Sequence, residues 1–360
     1  MKQNCCVLIP AYQPPEKFQE YAAVLRAAGI RDILVVDDGS GEQYSSVFDR
    51  LRRLEGCEVI GYPVNRGKGG AMKYGFAHIR STRPQCQVVV TVDCDGQHTA
   101  QDVLRVAQDA AEHPGQLVLG VRDFTKTADG TPVPLRSRLG NDCSTLVFWL
   151  LFHFWLPDTQ TGLRGFSASL LDAFEQVQGS RYEYETEVLT FCMREHVPLR
   201  TLPITTVYEN QNKGSHFHPL RDSARIMAVM LRDLGRFLLS SLSSAVVDVL
   251  LAWFLMDALR PLLPGENFAR IAAATVGARL VSMLVNYTLN RKLVFRRQKQ
   301  GRTSFARYLL LCAAIMLLSS GFVYLTARYF LWNEKVAKLV GDCLLFLLGY
   351  QIQRAWVFAS

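Results

Sequence analysis

Residues 236–358 contain four long apolar stretches, near 237–256, 269–289, 308–330 and 336–357. Each is about as long as the hydrocarbon core of a bilayer is thick. No stretch of that length occurs earlier in the chain. The sequence therefore predicts two parts made for different solvents, a mixed globular part followed by an all-α membrane part. The apolar share of 49% and the mean hydropathy of +0.08 average over both parts, so the uneven distribution carries the information.

A net charge of +8 suits nucleic acid, an anionic membrane or a phosphorylated substrate. Nucleic acid is set aside as a partner, because no zinc-finger spacing, basic zipper or aromatic RNA-binding signature occurs. Much of the basic excess lies beside apolar segments, which favours a membrane. Nine cysteines without a CxxC spacing suit reduced thiols, not a disulfide framework or a zinc site. The first residues run directly into VLIPAY with no charged and apolar leader, so membrane entry is expected from the C-terminal helices.

The first part alternates between two periodicities. Apolar runs at Cys6–Tyr12, Asp32–Ser40, 58–63, Gln87–Gln97 and 116–123 read as strands, and helical spacing fills 15–28, 42–54, 66–80 and the segment up to about 112. Strands alternating with helices predict a mostly parallel, Rossmann-like sheet covered on both faces. Ligands of such sheets bind at the carboxyl ends of the strands. Tyr12, Asp37 with Asp38, Asp93 with Asp95, and Arg122 all fall at such ends and are expected to form one site.

Asp93-Cys94-Asp95 follows VVVTV directly, and strand alternation turns both carboxylates to one side. Two carboxylates so placed suit one Mg²⁺ or Mn²⁺, to which Gln97 adds a carbonyl oxygen. An acidic surface turn is the alternative reading of the pair alone. Asp37 and Asp38 are placed to accept from a nucleobase or ribose, or else to make a turn. Asn65-Arg66-Gly67-Lys68-Gly69-Gly70 opens a helix and reads as a diphosphate cradle or a flexible basic start, although neither GxxxxGK[ST] nor GxGxxG is satisfied. Arg122, Arg136 and Arg138 flank a Pro-rich loop at 131–135 and are candidates for holding phosphates. Glu183, Glu185 and Glu187 are weighed as bases and read as the solvated start of a helix.

In this order and spacing, VLIPAY, VVDDGS, NRGKGGAMKYGF, VDCDGQH and DTQTGLRGFS resemble family 2 glycosyltransferases, most of all the dolichyl- or polyprenyl-phosphate hexose synthases, over roughly residues 5–215. The resemblance implies that Pro10, Tyr12 and Asp38 contact the nucleoside. It also implies that Asp93, Asp95 and Gln97 hold metal and diphosphate, that Arg122 and Arg138 lie near the phosphates, and that Asp158–Phe166 lies near the acceptor. Sugar-extending relatives usually carry a Glu-Asp base, and no Glu-Asp dipeptide occurs here, which fits an acceptor that is already an anion.

Ser144–Leu156 is intensely apolar but too short to span, and its Trp149 and Trp155 suit an interfacial helix. Residues 219–236 read as an amphipathic helix on the bilayer. The loop between the second and third apolar stretches carries Arg291, Lys292, Arg296, Arg297, Lys299, Arg302 and Arg307, which places it and both termini in the cytosol by the positive-inside rule. NYTLNRKLVF (Asn286–Phe295) recurs as GYQIQRAWVF (Gly349–Phe358), so the second and fourth stretches match and Arg279 aligns with Asp342. Arg279 is expected to pair with Asp342 or Asp248, since intramembrane charges find partners. The two matching endings resemble the four-helix GtrA-like family, whose members are associated with polyprenyl-linked sugars.

The expected organisation is an α/β nucleotide-sugar transferase at 1–215, an amphipathic juxtamembrane helix at 216–236 and a membrane domain with four transmembrane helices at 237–360. The expected activity is inverting transfer of a hexose from a UDP-glucose- or GDP-mannose-type donor to polyprenyl phosphate at the cytosolic face of the cell membrane. Asp95, Arg122 and Arg138 are the catalytic candidates. Pro10, Tyr12, Asp37, Asp38, Lys68 and Asp93 are assigned to the donor, and Asp93, Asp95 and Gln97 to the metal. Rival readings are a flippase for lipid-linked sugars and a processive polysaccharide synthase, whose QxxRW pattern Gln351–Trp356 narrowly misses. A homo-oligomer is left open.

Overall fold

The computed structural model describes residues 4–124, 135–205, 218–262, 268–295, 302–330 and 333–358. The boundary expected at 215, the loop at 131–134, the Arg136 side chain and the charges Arg296, Arg297 and Lys299 lie outside the described residues. The chain divides into two units, Met1–Met230 and Leu231–Ser360.

The first unit is built on seven strands: β1 (Cys5–Ala11), β2 (Ile33–Asp38), β3 (Cys57–Tyr62), β4 (Val88–Thr91), β5 (Leu117–Arg122), β6 (Arg164–Ser167) and β7 (Leu199–Ile204). Their order is β3-β2-β1-β4-β6-β5-β7, and β6 alone runs antiparallel to its neighbours. The helices are α1 (Phe18–Ala27), α2 (Ser45–Arg52), α3 (Lys68–Thr82), α4 (Ala100–Glu112), α5 (Leu135–Phe152), α6 (Leu171–Gln176) and α7 (Glu183–Arg194). The mostly parallel sheet and the first five strands follow the sequence pattern. β6 and β7 do not. Arg164-Gly165-Phe166-Ser167 offers no apolar run, and proline interrupts Leu199–Ile204.

Alternating side chains divide the core between the two faces of the sheet. Val7, Ile9, Val35 and Val90 pack with Leu25 of α1, Phe48 of α2 and Val103 and Val106 of α4. On the opposite face, Phe76 of α3 meets Phe166 edge-on at 5.6 Å, and Phe166 meets Phe174 of α6 at 4.9 Å. α4 starts where Thr99 accepts from the Asp102 amide at 3.1 Å, and buried Asp102 also accepts from Thr205 N at 3.0 Å, which ties the helix to the end of β7. The chain reverses direction across the sheet between β1 and β4, which opens a crevice at their carboxyl ends.

The second unit contains most of α8 (Pro219–Ala258) with α9 (Phe268–Leu289), α10 (Arg302–Phe330) and α11 (Glu334–Ile352). The segment expected as a separate amphipathic helix and the first apolar stretch form one uninterrupted helix, α8. Among the described residues, three helices are long and apolar enough to cross a membrane: Arg221–Ala258, Phe268–Val294 and Thr303–Thr326. α9 and α11 each run into a π-helical turn, at Asn290–Val294 and Gln353–Val357.

The repeat has a spatial meaning. Tyr287 stacks on Phe358 at 5.5 Å, and the corresponding pair, Tyr350 on Phe295, stacks at 5.8 Å. Equivalent residues also touch directly: Phe295 stacks on Phe358 at 4.9 Å, and buried Asn290 donates to Gln353 at 3.0 Å. Residue i meeting j while j meets i is the mark of a two-fold relation. It extends to the other helix of each pair, because Arg236-Phe237-Leu238-Leu239 in α8 matches Arg307-Tyr308-Leu309-Leu310 in α10. Phe237 lies 5.4 Å from Tyr350, and Tyr308 lies 5.5 Å from Tyr287. Of the two partners expected for Arg279, the structure selects Asp248, at 3.1 Å. Asp342 accepts from Ser319 instead, at the position equivalent to Asp248. The near-QxxRW segment forms the π turn, where Gln353 meets Asn290 and the Trp356 carbonyl accepts from Arg307 at 3.0 Å.

Phe166→Ala removes the ring common to both edge-on contacts in the first unit. The loss is expected to be about 3–5 kcal/mol. It is read as a lower thermal midpoint of the detergent-solubilised chain, and an unchanged midpoint would contradict this packing role.

Candidate active site at the carboxyl edge of the sheet

The turn after β4 carries Asp93 and Asp95 into the crevice beside β1. Gln97 N donates to Asp95 Oδ1 at 3.1 Å and closes the turn. Lys68, the first residue of α3, reaches Asp93 Oδ1 at 2.7 Å and Glu185 Oε1 of α7 at 2.9 Å. His98 Nε2 lies 3.8 Å from Asp93 Oδ2. Burial pushes the Asp93 carboxyl up, but the Lys68 ammonium outweighs it, with His98 adding to the pull, and holds the group well below the usual carboxylate range. Asp95 has both burial and the Asp93 charge against it and is raised. Burial works against the Lys68 charge as well, yet Asp93 and Glu185 hold its ammonium above its ordinary value. The intervening Cys94 thiol is pushed up to about 12, by burial first and then by Asp95 and Asp93, so it stays protonated near neutrality.

The oxygen donors of Asp93 and Asp95 fit a hard divalent cation. One carboxyl is destabilised by the charge of the other, and a cation bound to both relieves that repulsion. Asp109, Glu112 and His113 form another group of metal-type side chains at the far end of α4, but Arg200 already holds Asp109 at 2.9 and 3.1 Å.

The remaining strand ends join this turn through bonds within the protein. Pro10 is buried in β1 opposite Val36, and Tyr12 follows β1, accepting from Gln13 Nε2 at 3.2 Å. Gln13 N donates to Ser40 Oγ at 2.9 Å, which links the ends of β1 and β2. Asp37 accepts from Ser40 N at 2.9 Å and makes the turn that was its alternative reading. Asp38 is buried and accepts from Tyr62 Oη at 2.6 Å, Arg66 N at 2.8 Å and Gly67 N at 2.9 Å.

Several amides of the glycine-rich segment are used within the protein. Two of its amides serve Asp38, and Gly70 N donates to the Ser180 carbonyl at 2.8 Å. A Cβ on Gly67 would strike Ser180 and Arg181, and one on Gly69 would strike Tyr184. The glycines therefore let the start of α3 lie directly against the start of α7, and this brings Lys68 to Glu185.

Arg122 is held in a fork by buried Asp158, with Nε at 2.7 Å and Nη2 at 3.1 Å. Arg138 is exposed on α5, 3.9 Å from Asp142, and no described contact joins it to the carboxylates. Asp158–Phe166 is buried scaffolding for the site. Thr91 Oγ1 donates to the Gly162 carbonyl at 3.0 Å, and the Asp93 carboxylate packs where a side chain at position 162 would stand. Buried Arg164 donates to the Thr161 carbonyl at 2.9 Å and to the Glu185 carbonyl at 2.7 Å.

The solvated reading is corrected for two of the three glutamates. Glu185 is 5% exposed and Glu187 6%, while Glu183 accepts from Ser180 N and Arg181 N at 3.1 Å each. One signal could have found Glu185: it lies three, four and seven residues before the buried Val188, Leu189 and Cys192, on the inner face of α7. The motif at Asp158–Phe166 contains Gly162 and Arg164, but nothing in it foretold their contacts. Beside the site, α5 buries Phe148 and Leu151 but exposes Leu139, Leu146, Trp149 and Leu150, and Trp155 follows at 61% exposed.

Residues 6–174 match the model of glycosyl transferase family 2, and residues 236–358 match that of the GtrA/DPMS transmembrane domain. The chain thus carries a glycosyl transferase family 2 domain over residues 6–174 and a GtrA/DPMS transmembrane domain over residues 236–358. It is therefore a membrane protein. It is similar to an uncharacterized protein of Methanocaldococcus jannaschii, 29% identical over 58% of this chain and 83% of that one. It is also similar to the UDP-N-acetylglucosamine–dolichyl-phosphate N-acetylglucosaminyltransferase of Methanococcus voltae, at 27% over 56% and 85%. The dolichyl-phosphate beta-glucosyltransferase of Saccharomyces cerevisiae is 25% identical over 48% of this chain and 56% of that protein. Among solved structures, a glucosyl-3-phosphoglycerate synthase from Mycobacterium tuberculosis is 16% identical with a TM-score of 0.46, covering 64% of this chain and 78% of that one.

Within this glycosyltransferase the two neighbouring aspartates are expected to separate on mutation. Asp38→Ala strands three donors and should cost several kcal/mol, at about 1–3 kcal/mol for each unsatisfied group. Asp37→Ala loses one turn bond and should cost about 1 kcal/mol. Denaturant titration of the solubilised chain checks the difference, and equal costs would overturn it.

Proposed function

We propose that this glycosyltransferase moves a hexose from a nucleotide sugar to polyprenyl phosphate, with inversion, at the cytosolic membrane face. The pair of neighbouring carboxylates, Asp93 and Asp95, on the turn after β4 carries the reading. Tyr12 and the Asp38 loop border the same crevice from the side where a nucleoside would lie. When bound, Mg²⁺ or Mn²⁺ would neutralise the departing diphosphate, with Asp93 and Asp95 as its holders and Gln97 as a further oxygen donor.

A sugar-hydroxyl acceptor would need a base. Glu185 is occupied by Lys68 and Glu183 by two backbone amides, so neither is poised to remove a proton. A phosphate acceptor needs no such group, because its oxygen is already anionic. That oxygen attacks the anomeric carbon, the bond from carbon to diphosphate oxygen breaks, and the nucleoside diphosphate leaves with the electron pair. Arg122, oriented by Asp158, and Arg138 are the proposed phosphate contacts.

The lipid side of the reading is supported by the exposed apolar row on α5, which fits an interfacial helix that admits the acceptor from the bilayer. The proposed organisation keeps residues 1–215 in the cytosol, 216–236 along the membrane surface, and four spans in 237–360 with α11 as the fourth. The M. voltae and yeast relatives, which are named for transfer to dolichyl phosphate, support the acceptor class. A UDP donor fits both this reading and the name of the M. voltae protein.

The solubilised full chain, given Mn²⁺, polyprenyl phosphate and a panel of radiolabelled nucleotide sugars, should yield a single lipid-linked sugar. Asp95→Ala should lower the rate on the order of 100-fold or more. Long polymer, sugar movement across vesicles without transfer, or full turnover in chelator would sink the proposal.

A further inference from the structure

We propose that Lys68 and Glu185 form a charge-setting clamp on the Asp93–Asp95 cation site, with Glu185 acting as a positioning residue through Lys68. The clamp rests on the reading of Asp93 and Asp95 as cation ligands. Its geometry stands apart from that reading. The Lys68 side chain is 15% exposed and that of Glu185 is 7% exposed, and the ammonium lies 2.7 Å from one carboxylate and 2.9 Å from the other.

Both ends of the clamp are rigid. At one end, the close approach of α3 and α7 allowed by Gly67 and Gly69 sets the Lys68 backbone against α7. At the other, Arg164 joins the Glu185 carbonyl to the Thr161 carbonyl, and the adjoining Gly162 is the surface on which Asp93 rests. A buried ion pair of this kind contributes little net stability compared with apolar packing. Its effect here is on charge. Asp93, Asp95 and Glu185 bring three negative charges and Lys68 one positive, which leaves two for a divalent cation to cancel. Arg122 does not enter the count, because Asp158 neutralises it. Lys68 also holds Asp93 by Oδ1, which fixes the orientation in which that carboxylate meets a cation.

The clamp predicts effects of opposite sign from its two members. Glu185→Gln keeps the shape of the side chain but leaves one net negative charge, so Mn²⁺ binding should weaken. One charge acting on a divalent ion several ångströms away is worth at least about tenfold, even at the dielectric of water. Lys68→Met raises the count to three and should tighten Mn²⁺ binding. The double variant returns it to two and should bind within a few-fold of wild type. Its isosteric changes remove both partners together, so it remains informative if Lys68→Met alone does not fold.

The measurement is Mn²⁺ binding to the solubilised full chain by electron paramagnetic resonance, without donor or acceptor. All variants are compared at the same pH and ionic strength. Glu185→Gln binding Mn²⁺ like wild type, or the double variant binding no better than Glu185→Gln, overturns the clamp. If Asp95→Ala binds Mn²⁺ as wild type does, the cation site itself is wrong. If Asp95→Ala loses binding while Glu185→Gln keeps it, only the clamp fails.

Discussion

The buried contact of Lys68 with Asp93 and Glu185 is the interaction on which the catalytic unit turns. It joins three segments far apart in sequence: the start of α3, the turn after β4 and the first turn of α7. The first half of the sheet, β1 to β4, is made of local βαβ units. The later half joins the first through the antiparallel pairing of β6 with β4, and the lysine between two carboxylates adds a second, oriented tie. Dehydrating such groups is costly unless each finds its partner, so the arrangement holds only one geometry.

Much of the first unit was legible because buried parallel strands and amphipathic helices leave strong periodic signals. β1 to β5 and the polar residues at their ends followed from that pattern. β6 was hidden, because four residues including an arginine and a glycine carry no period, and its identity as a strand comes from pairing with β4 and β5. The site residues were found as types but not always as roles. Asp37 makes a turn, Asp38 staples a loop, and the glycines near Lys68 serve contact between helices. Glu185 was visible as a carboxylate and misplaced as solvated, since its partner lies more than a hundred residues earlier and no local rule couples the two.

In the second unit the sequence repeat held more than its ten-residue signature suggested. Aromatic stacks cross between equivalent positions, and Asn290 meets its own counterpart, Gln353. The symmetry is not kept where charge is concerned. An ion pair, Asp248 with Arg279, occupies one half, and Ser319 with Asp342 occupies the other. The aromatic packing keeps the relation while the polar positions differ, each charge having a polar partner of its own.

Gly162 carries a consequence of its own. Its carbonyl is held by Thr91 while its bare Cα forms the seat of Asp93, and its neighbours lead to Asp158 and so to Arg122. The Asp93 carboxylate and the Arg122 fork therefore rest on the two ends of one short stretch of chain, residues 158–162. A shift of that stretch would be felt by both. The proposed metal carboxylate and the proposed phosphate contact are in this way coupled through a few residues, and the bare Cα at position 162 is what makes room for the first of them.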